Sequence, residues 1–93
     1  MAIRLLIASI VKPGQARAYA EAFAHIEKET RAEPGCEQYE LFQSVHNPDK
    51  LVLMERWADQ ASLDAHMEIM KKRDMSVHGS LRAEPPSRER YEI

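Results

Sequence analysis

A chain of 93 residues makes one small domain, which buries only about 60–65% of the surface exposed by its unfolded chain. Thirteen Lys and Arg residues against fifteen Asp and Glu residues give a net charge of −2 without a basic stripe, which argues against a nucleic-acid partner. The single cysteine excludes an internal disulfide, and no segment approaches the roughly 20 apolar residues of a membrane-spanning helix. We therefore expect a soluble, cytoplasmic domain with no membrane partner.

The first third of the chain predicts a strand and then a helix. Residues Ile3 to Lys12 are rich in Leu and β-branched residues, are apolar on both faces and end at Pro13-Gly14, as in a strand covered on both sides. From Gly14 to about Glu33 the apolar residues follow helical spacing, and the following Pro ends the helix. The stripe comprises Ala16, Tyr19, Ala20, Phe23, Ile26 and Thr30.

The middle of the chain predicts a hairpin followed by a second helix. Cys36 to His46 and Leu51 to Ala58 have the composition of strands, and Asn47-Pro48-Asp49 between them is turn chemistry. Asp59 is suited to be the N-cap of a helix that begins near Gln60. Leu63, His66, Met67 and Met70 then share one helix face.

The last quarter of the chain is more polar. Lys71 to Ser80 predicts either a continued helix or an irregular arm, with Gly79 marking its end. Ser87 to Ile93 suits an edge strand. The resulting order of strand, helix, strand, strand, helix, strand predicts an α+β fold, a ferredoxin-like βαββαβ sandwich. Two helices cover only one sheet face, so we expect a second copy of the chain to cover the other face in a homodimer.

The candidate reactive residues cluster around Glu55-Arg56-Trp57 and His66. A Trp at a strand end and a His on the inner face of a helix can meet over one side of the sheet, around a cavity. His66 would be partly desolvated there, which suits a neutral general base, although a buried His bonded to a backbone carbonyl is the competing interpretation. Trp57 could form a pocket wall and stack on a planar ligand, but a role as the main core residue is the favoured interpretation.

Further candidates lie on the same faces. Tyr39 could hydrogen-bond a substrate oxygen or be an ordinary strand aromatic. Glu55 could polarise His66, or pair with Arg56 or another Arg, and an ion pair at the dimer interface is the favoured role. The apolar residues expected around the substrate are Phe23, Leu63, Met67 and Met70, although the methionines equally suit core filling.

Other reactive groups are less promising. Cys36 has no Cys–His–Asn pattern around it and is expected to be a small, inert, buried thiol. The four His residues show no i, i+4 pairing and no nearby carboxylate cluster, so we predict no metal site.

Taken together, these segments resemble the antibiotic biosynthesis monooxygenase (ABM) domain, a member of the dimeric α+β barrel group. The resemblance runs from about residue 3 to residue 70 and makes residues 1–93 a single ABM-like domain. The matching segments are Lys12-Pro13-Gly14, Glu33-Pro34-Gly35-Cys36, Tyr39-Glu40-Leu41-Phe42, Asn47-Pro48-Asp49, Glu55-Arg56-Trp57 and Leu63-Asp64-Ala65-His66.

The resemblance implies two sheets facing each other in a dimer, with an apolar cavity between the sheet and helices of each subunit. Characterised relatives oxidise polyphenolic or quinol-like substrates with molecular oxygen and without metal, haem or flavin. Other members isomerise a small signalling molecule, and related proteins degrade haem. Haem-degrading relatives use a His from near the position of His78 and an Asn on the first strand, where this chain has only Ser9 as an uncharged polar residue.

The function expected from the resemblance is a cofactor-independent oxidoreductase, a monooxygenase acting on a phenolic or quinol-type molecule. His66 would remove a proton from the substrate and Tyr39 would hold the resulting oxyanion. One alternative is an isomerase or degrader of a small carbonyl compound, which needs a wetter pocket and is suggested by the polar stretch from Lys71 to Arg82. The other is a dimer that binds a small ligand without catalysis.

Overall fold

Four antiparallel strands form one sheet with three helices packed on one side, in a computed structural model that describes all 93 residues. The strand order across the sheet is β2-β3-β1-β4. This arrangement confirms the predicted α+β, ferredoxin-like class. The elements are β1 (Ile3–Ile10), α1 (Ala16–Arg31), β2 (Cys36–Gln43), β3 (Lys50–Trp57), α2 (Gln60–Lys71), α3 (Ser76–Leu81) and β4 (Ser87–Glu92).

The central strands β1 and β3 carry most of the core on the helix side of the sheet. Residues Ile3, Leu5 and Ile7 of β1 lie opposite Trp57, Glu55 and Leu53 of β3 in the antiparallel register. Because successive strand residues point to opposite faces, these alternate positions all face the helices. Every second residue of β3 from Leu51 to Trp57 is buried.

Helix α1 packs most of its predicted stripe against this face, with Tyr19, Phe23 and Ile26 each at most 3% exposed. Ala20 was wrongly placed in the stripe, because it is exposed. The helix ends at Arg31, and the chain turns into β2 through Gly35, whose φ of 80° is favourable only for glycine. A Cβ on Gly35 would overlap the Ser62 side chain on α2. The close approach of this turn to α2 therefore requires glycine.

Helix α2 begins as predicted, because Asp59 Oδ1 accepts a hydrogen bond from the backbone N–H of Ser62 at 2.8 Å. The chain beyond Lys71 differs from the expectation, since it turns and forms the separate helix α3. Gly79 lies inside α3, with its N–H bonded to the Met75 carbonyl, so the prediction that it ends a helix is wrong. No helix of this fold has the length and apolar character needed to cross a membrane.

The other sheet face has no helix over it, and we call it the open face. Its half-exposed apolar side chains come from three strands: Leu6, Ala8, Ile10, Phe42, Val52 and Met54. Strand β4 lies at the edge of the sheet and is exposed along its length, which confirms the predicted edge strand.

Candidate functional site

A cavity of about 230 Å³ lies between the helix side of the sheet and the helices. Nine of its fifteen lining residues are hydrophobic, and the polar ones come from several different elements. An apolar pocket with a few convergent polar groups is the usual form of a small-molecule site.

Six of the eight residues proposed from the sequence line this cavity: Phe23, Tyr39, Glu55, His66, Met67 and Met70. Leu63 lies one helical turn before Met67, is buried in the core and does not line the cavity. Trp57 is completely buried at the end of β3, with its ring centroid 4.7 Å from that of His66. The proposed role of Trp57 as a wall of the pocket is corrected, because it is a core residue, as the favoured interpretation held.

The ring of His66 is held by a carboxylate. Its Nδ1 lies 2.9 Å from Oε1 of Glu33, which is two residues beyond the end of α1, and the His66 side chain is 3% exposed. A carboxylate only accepts, so Nδ1 carries a proton, and in the neutral ring the lone pair lies on Nε2. The competing interpretation of a His bonded to a backbone carbonyl therefore does not describe His66.

Glu55 lies beside the imidazole, on the helix side of the sheet. Its Oε1 accepts a hydrogen bond from Trp57 Nε1 at 3.0 Å and lies 3.9 Å from His66 Nε2. Desolvation by burial raises the pKa of Glu55, and the Trp57 hydrogen bond and the charges of His66 and Arg88 oppose this only in part.

The ion-pair roles weighed for Glu55 do not fit this position. Arg56 points to the other face of the sheet, where it pairs with Glu37 at 2.9 Å. Glu55 itself is 2% exposed and faces the cavity rather than the open face, so the expected interface ion pair is corrected as well.

Tyr39 on β2 closes this side of the cavity, with its ring edge toward His66 at a centroid distance of 5.5 Å. Burial, followed by the charge of Glu55, raises the pKa of Tyr39 far above its ordinary value of 10. The phenol therefore stays protonated and able to donate a hydrogen bond at any physiological pH.

Two arginines also line the cavity: Arg82, in the segment after α3, and Arg88, on β4 at the opposite edge of the sheet. Arg82 donates from Nε to the Tyr19 hydroxyl at 3.0 Å, and that hydroxyl lies 3.2 Å from Ser9 Oγ. Arg88 on β4 lies opposite Ile7 of β1 and also lines the cavity.

Sequence reasoning did not single out Arg82 or Arg88 as site residues. The signal for Arg82 was the polar stretch from Lys71 to Arg82, from which both Met75 and Arg82 reach the cavity. Arg88 could have been found only by knowing which face of β4 is turned toward the helices.

Two other reactive groups stand apart from the cavity lining. Cys36 is half-buried, and desolvation raises the pKa of its thiol, which disfavours the reactive thiolate. His78 on α3 is directed at α1, where its Nε2–H donates to the Ala22 carbonyl at 3.1 Å and its ring packs on Phe23. His78 is therefore not positioned to bind a ligand in the cavity.

Comparison with known proteins gives a consistent result. The model of the family described as "Antibiotic biosynthesis monooxygenase" matches residues 2–69. The chain is 33% identical over 58 residues to "Putative monooxygenase YcnE" of Bacillus subtilis (strain 168), and the matched segment spans 62% of this chain and 61% of that protein.

Solved structures share the fold over nearly the whole chain. A conserved protein from Methanosarcina mazei Go1 superposes with a TM-score of 0.89 at 27% identity, covering 98% of this chain and 91% of that one. A "Putative antibiotic biosynthesis monooxygenase" from Nitrosomonas europaea gives a TM-score of 0.86 at 22% identity, covering 97% and 88%. At 22% identity, the second likeness concerns the fold alone.

Proposed function

Because the chain belongs to the antibiotic biosynthesis monooxygenase family, we propose that it is a cofactor-independent monooxygenase oxidising a phenolic or quinol-type molecule with molecular oxygen. The observation that carries this proposal is the buried Glu33–His66 pair at the edge of an apolar cavity. The pair supplies an oriented base beside a mostly apolar pocket, and the chemistry requires both.

The first step in this proposal is removal of a phenolic proton by Nε2 of His66. Glu33 fixes the ring through Nδ1, so that the basic nitrogen is the one turned away from Glu33. The imidazolium that forms then lies 2.9 Å from an oxygen of Glu33 and 3.9 Å from one of Glu55, and a negative charge at these distances stabilises it.

The second step is the reaction of the substrate anion with oxygen. Tyr39 keeps its proton and donates a hydrogen bond to the phenolate oxygen. The electron-rich anion passes one electron to molecular oxygen, and the resulting substrate radical and superoxide combine to form a peroxide at a ring carbon that bears hydrogen. The peroxide takes back the proton held by His66. Cleavage of its O–O bond with loss of the C–H proton releases water and leaves the new carbonyl of the quinone. The apolar walls exclude bulk water and hold the ring in place, which is the protein's main contribution to this step.

Specific residues also favour the second candidate, an isomerase or degrader of a small carbonyl compound. That function needs charged groups in the pocket, and Arg82, Arg88 and Glu55 all line it. Such an enzyme would change its substrate without consuming oxygen, so oxygen uptake separates the two functions.

We also propose that the protein works as a homodimer. The open face carries apolar side chains from β1, β2 and β3, and no other element of the chain covers them. A second sheet packed face to face would remove this apolar surface from water.

The experiment that tests the proposed function is oxygen consumption by metal-stripped protein against a panel of hydroquinones and hydroxyanthrones. His66→Ala is the test variant, and His25→Ala, at an exposed position of α1, is the matched control. A protein-free blank corrects for autoxidation of the quinols. We expect uptake above the blank that survives chelator and is lost only in His66→Ala. Uptake no faster than the blank with every substrate would remove the monooxygenase assignment.

A further inference from the structure

We propose that the substrate of this cavity carries an anionic group, a carboxylate attached to its ring system, which binds to Arg82 and Arg88. The inference rests on the proposed function, which places the reacting phenol of the substrate at His66. The evidence for the anionic group itself is the pairing of the arginines of the chain.

Six of the eight arginines are paired with a carboxylate or a side-chain amide. Arg4 bonds to Gln38, and the other five form ion pairs with carboxylates: Arg17, Arg31, Arg56, Arg73 and Arg90. The remaining two, Arg82 and Arg88, form no ion pair, and both line the cavity. Three guanidinium groups lack a carboxylate partner. Arg4 bonds to the Gln38 amide, and the other two, Arg82 and Arg88, are those that a ligand in the cavity can reach.

Arg82 is held so that part of its guanidinium stays available. Its backbone is fixed beside β1, where it forms an isolated bridge with Val11. Its Nε donates to the Tyr19 hydroxyl at 3.0 Å, and its Cζ lies 5.5 Å from the centroid of that ring. The terminal nitrogens make no hydrogen bond within the chain. A planar guanidinium fixed at Nε presents these nitrogens as a fork, which fits the two oxygens of a carboxylate.

The charge around the cavity is not balanced by the protein itself. Glu55 is the only carboxylate that lines it, whereas two arginines do. The Tyr19 and Ser9 hydroxyls next to Arg82 are neutral hydrogen-bonding groups that can add to the binding of an anion. An anionic ligand group would neutralise the two arginines, whereas a neutral ligand would leave them uncompensated.

The positions of these groups also set the shape of the ligand. Tyr39 and Glu55 lie opposite each other on β2 and β3, whereas Arg88 lies on β4 at the other edge of the sheet. Strands are spaced about 4.8 Å apart, so β3 and β4, on either side of β1, are roughly 10 Å apart. We infer that the phenolic hydroxyl is directed at His66 and the acidic group is on the far side of the ring.

The test compares binding of three probes under anaerobic conditions, where no turnover occurs. They are the hydroquinone carboxylate (dihydroxybenzoate), its methyl ester and hydroquinone itself. Isothermal titration measures each dissociation constant for the wild type, Arg88→Gln and Arg82→Gln. Arg90→Gln is the matched control, because Arg90 lies on the same strand and face as Arg88, pairs with Glu92 and does not line the cavity.

We expect the wild type and Arg90→Gln to bind the carboxylate at least about tenfold more tightly than the ester, which is the effect of one charge-assisted hydrogen-bonded pair. This preference should shrink as salt is added and should disappear in Arg88→Gln. Arg88 makes no hydrogen bond within the chain, so this variant keeps the folded structure even if loss of the Tyr19 contact disturbs Arg82→Gln.

Equal affinity of the wild type for carboxylate and ester, or binding of none of the probes, would overturn the proposal. So would a preference that persists in Arg88→Gln. A neutral quinol that is oxidised in a His66-dependent way while the carboxylate is not preferred would reject the anionic substrate but leave the monooxygenase standing. A preference for the carboxylate without oxygen uptake would support the anionic substrate but reject the monooxygenase.

Discussion

His66 Nδ1 lies 2.9 Å from a carboxylate oxygen of Glu33, a residue 33 positions earlier in the chain. The contact depends on the turn that contains Gly35. Ser62 and His66 are four residues apart and share one face of α2. Ser62 packs where a Cβ on Gly35 would be, and one helical turn later His66 meets Glu33. The same close approach of turn and helix therefore positions the candidate base.

Glu33→Gln is expected to lower turnover by on the order of 10²-fold while the protein stays folded, because the base loses its fixed orientation. A Gln amide can donate to Nδ1 as well as accept from it, which would place the imidazole proton on Nε2 and block the basic atom. Oxygen consumption measures the loss, and circular dichroism checks the fold. Glu37→Gln is the control, since Glu37 pairs with Arg56 away from the cavity. Turnover equal to wild type in Glu33→Gln would remove Glu33 from the mechanism.

Gly35→Ala is expected to destabilise the protein by about 1–3 kcal/mol, because a left-handed φ of 80° and the overlap with Ser62 both oppose a side chain. Two other glycines provide a graded control. Gly14→Ala has a φ of 77° but open space around it, so a smaller loss is expected. Gly79→Ala, in a helix with open space, should gain about 0.5–1 kcal/mol. Urea unfolding measures all three, and a Gly35→Ala loss no larger than that of Gly14→Ala would contradict the packing argument.

Glu55→Gln is expected to become more stable than the wild type as pH rises. Burial raises the folded-state pKa of Glu55 above its ordinary value of 4.5. The stability linked to its proton is therefore fully present below about pH 4.5 and is lost as pH rises through the folded-state value. Gln keeps the shape and the acceptor for Trp57 Nε1 without the charge. Denaturant midpoints of both proteins across this pH range measure the effect.

The same variant should lower turnover by about tenfold, because a transition state with a developing imidazolium loses a nearby negative charge. A Glu55→Gln protein that is more stable but less active than the wild type would show that Glu55 serves the reaction rather than the stability of the core. A variant that is less stable than the wild type at neutral pH would reject the argument from burial.

Most of the fold was predictable because the strands and the two longer helices have clear local patterns. Alternation in β3, the stripe of α1 and the Asp59 cap all reappear in the structure. The short helix α3 was not predictable, because only two of its six residues are apolar and one is Gly79. Its formation depends on packing of His78 against Phe23 of α1, which is a tertiary contact.

The site was predictable only where its residues lie on regular elements. His66 and Tyr39 were found from helix and strand periodicity, and both line the cavity. Glu33 was not predicted as a site residue. It lies in a turn, where no periodic pattern indicates which side chain it contacts. Trp57 lies on the predicted face of the sheet but not in the pocket wall. Periodicity indicates which face a side chain is on, but not whether it reaches the cavity or stays in the core.

Val52→Asp is expected to convert the proposed homodimer into monomers. Val52 lies on the open face in the centre of the sheet, and an aspartate there would have to be buried unpaired between two sheets. Light scattering coupled to size exclusion measures the mass. Val45→Asp is the control, since Val45 is 89% exposed in the hairpin loop. A wild-type protein that is monomeric at micromolar concentration would reject the dimer.

His78→Phe is expected to make the protein less sensitive to mild acid. Desolvation by burial lowers the pKa of His78 below its ordinary value of 6.5, and the charges of Arg82 and His25 act in the same direction. The hydrogen bond to Ala22 and the charge of Asp74 oppose the shift. The stability linked to neutral His78 is therefore complete above about pH 6.5 and is lost as pH falls through the folded-state value.

Phe can occupy the same space against Phe23 and does not titrate. Denaturant midpoints at about pH 7.5 and about pH 5.5 should thus fall in the wild type by more than in His78→Phe, whereas His46→Gln, an exposed loop variant, should behave as the wild type. Because His78 holds α3 against α1, and the segment after α3 carries Arg82 to the cavity, its protonation should also loosen that wall. An equal loss of stability in wild type and His78→Phe would show that groups other than His78 cause the destabilisation at acidic pH.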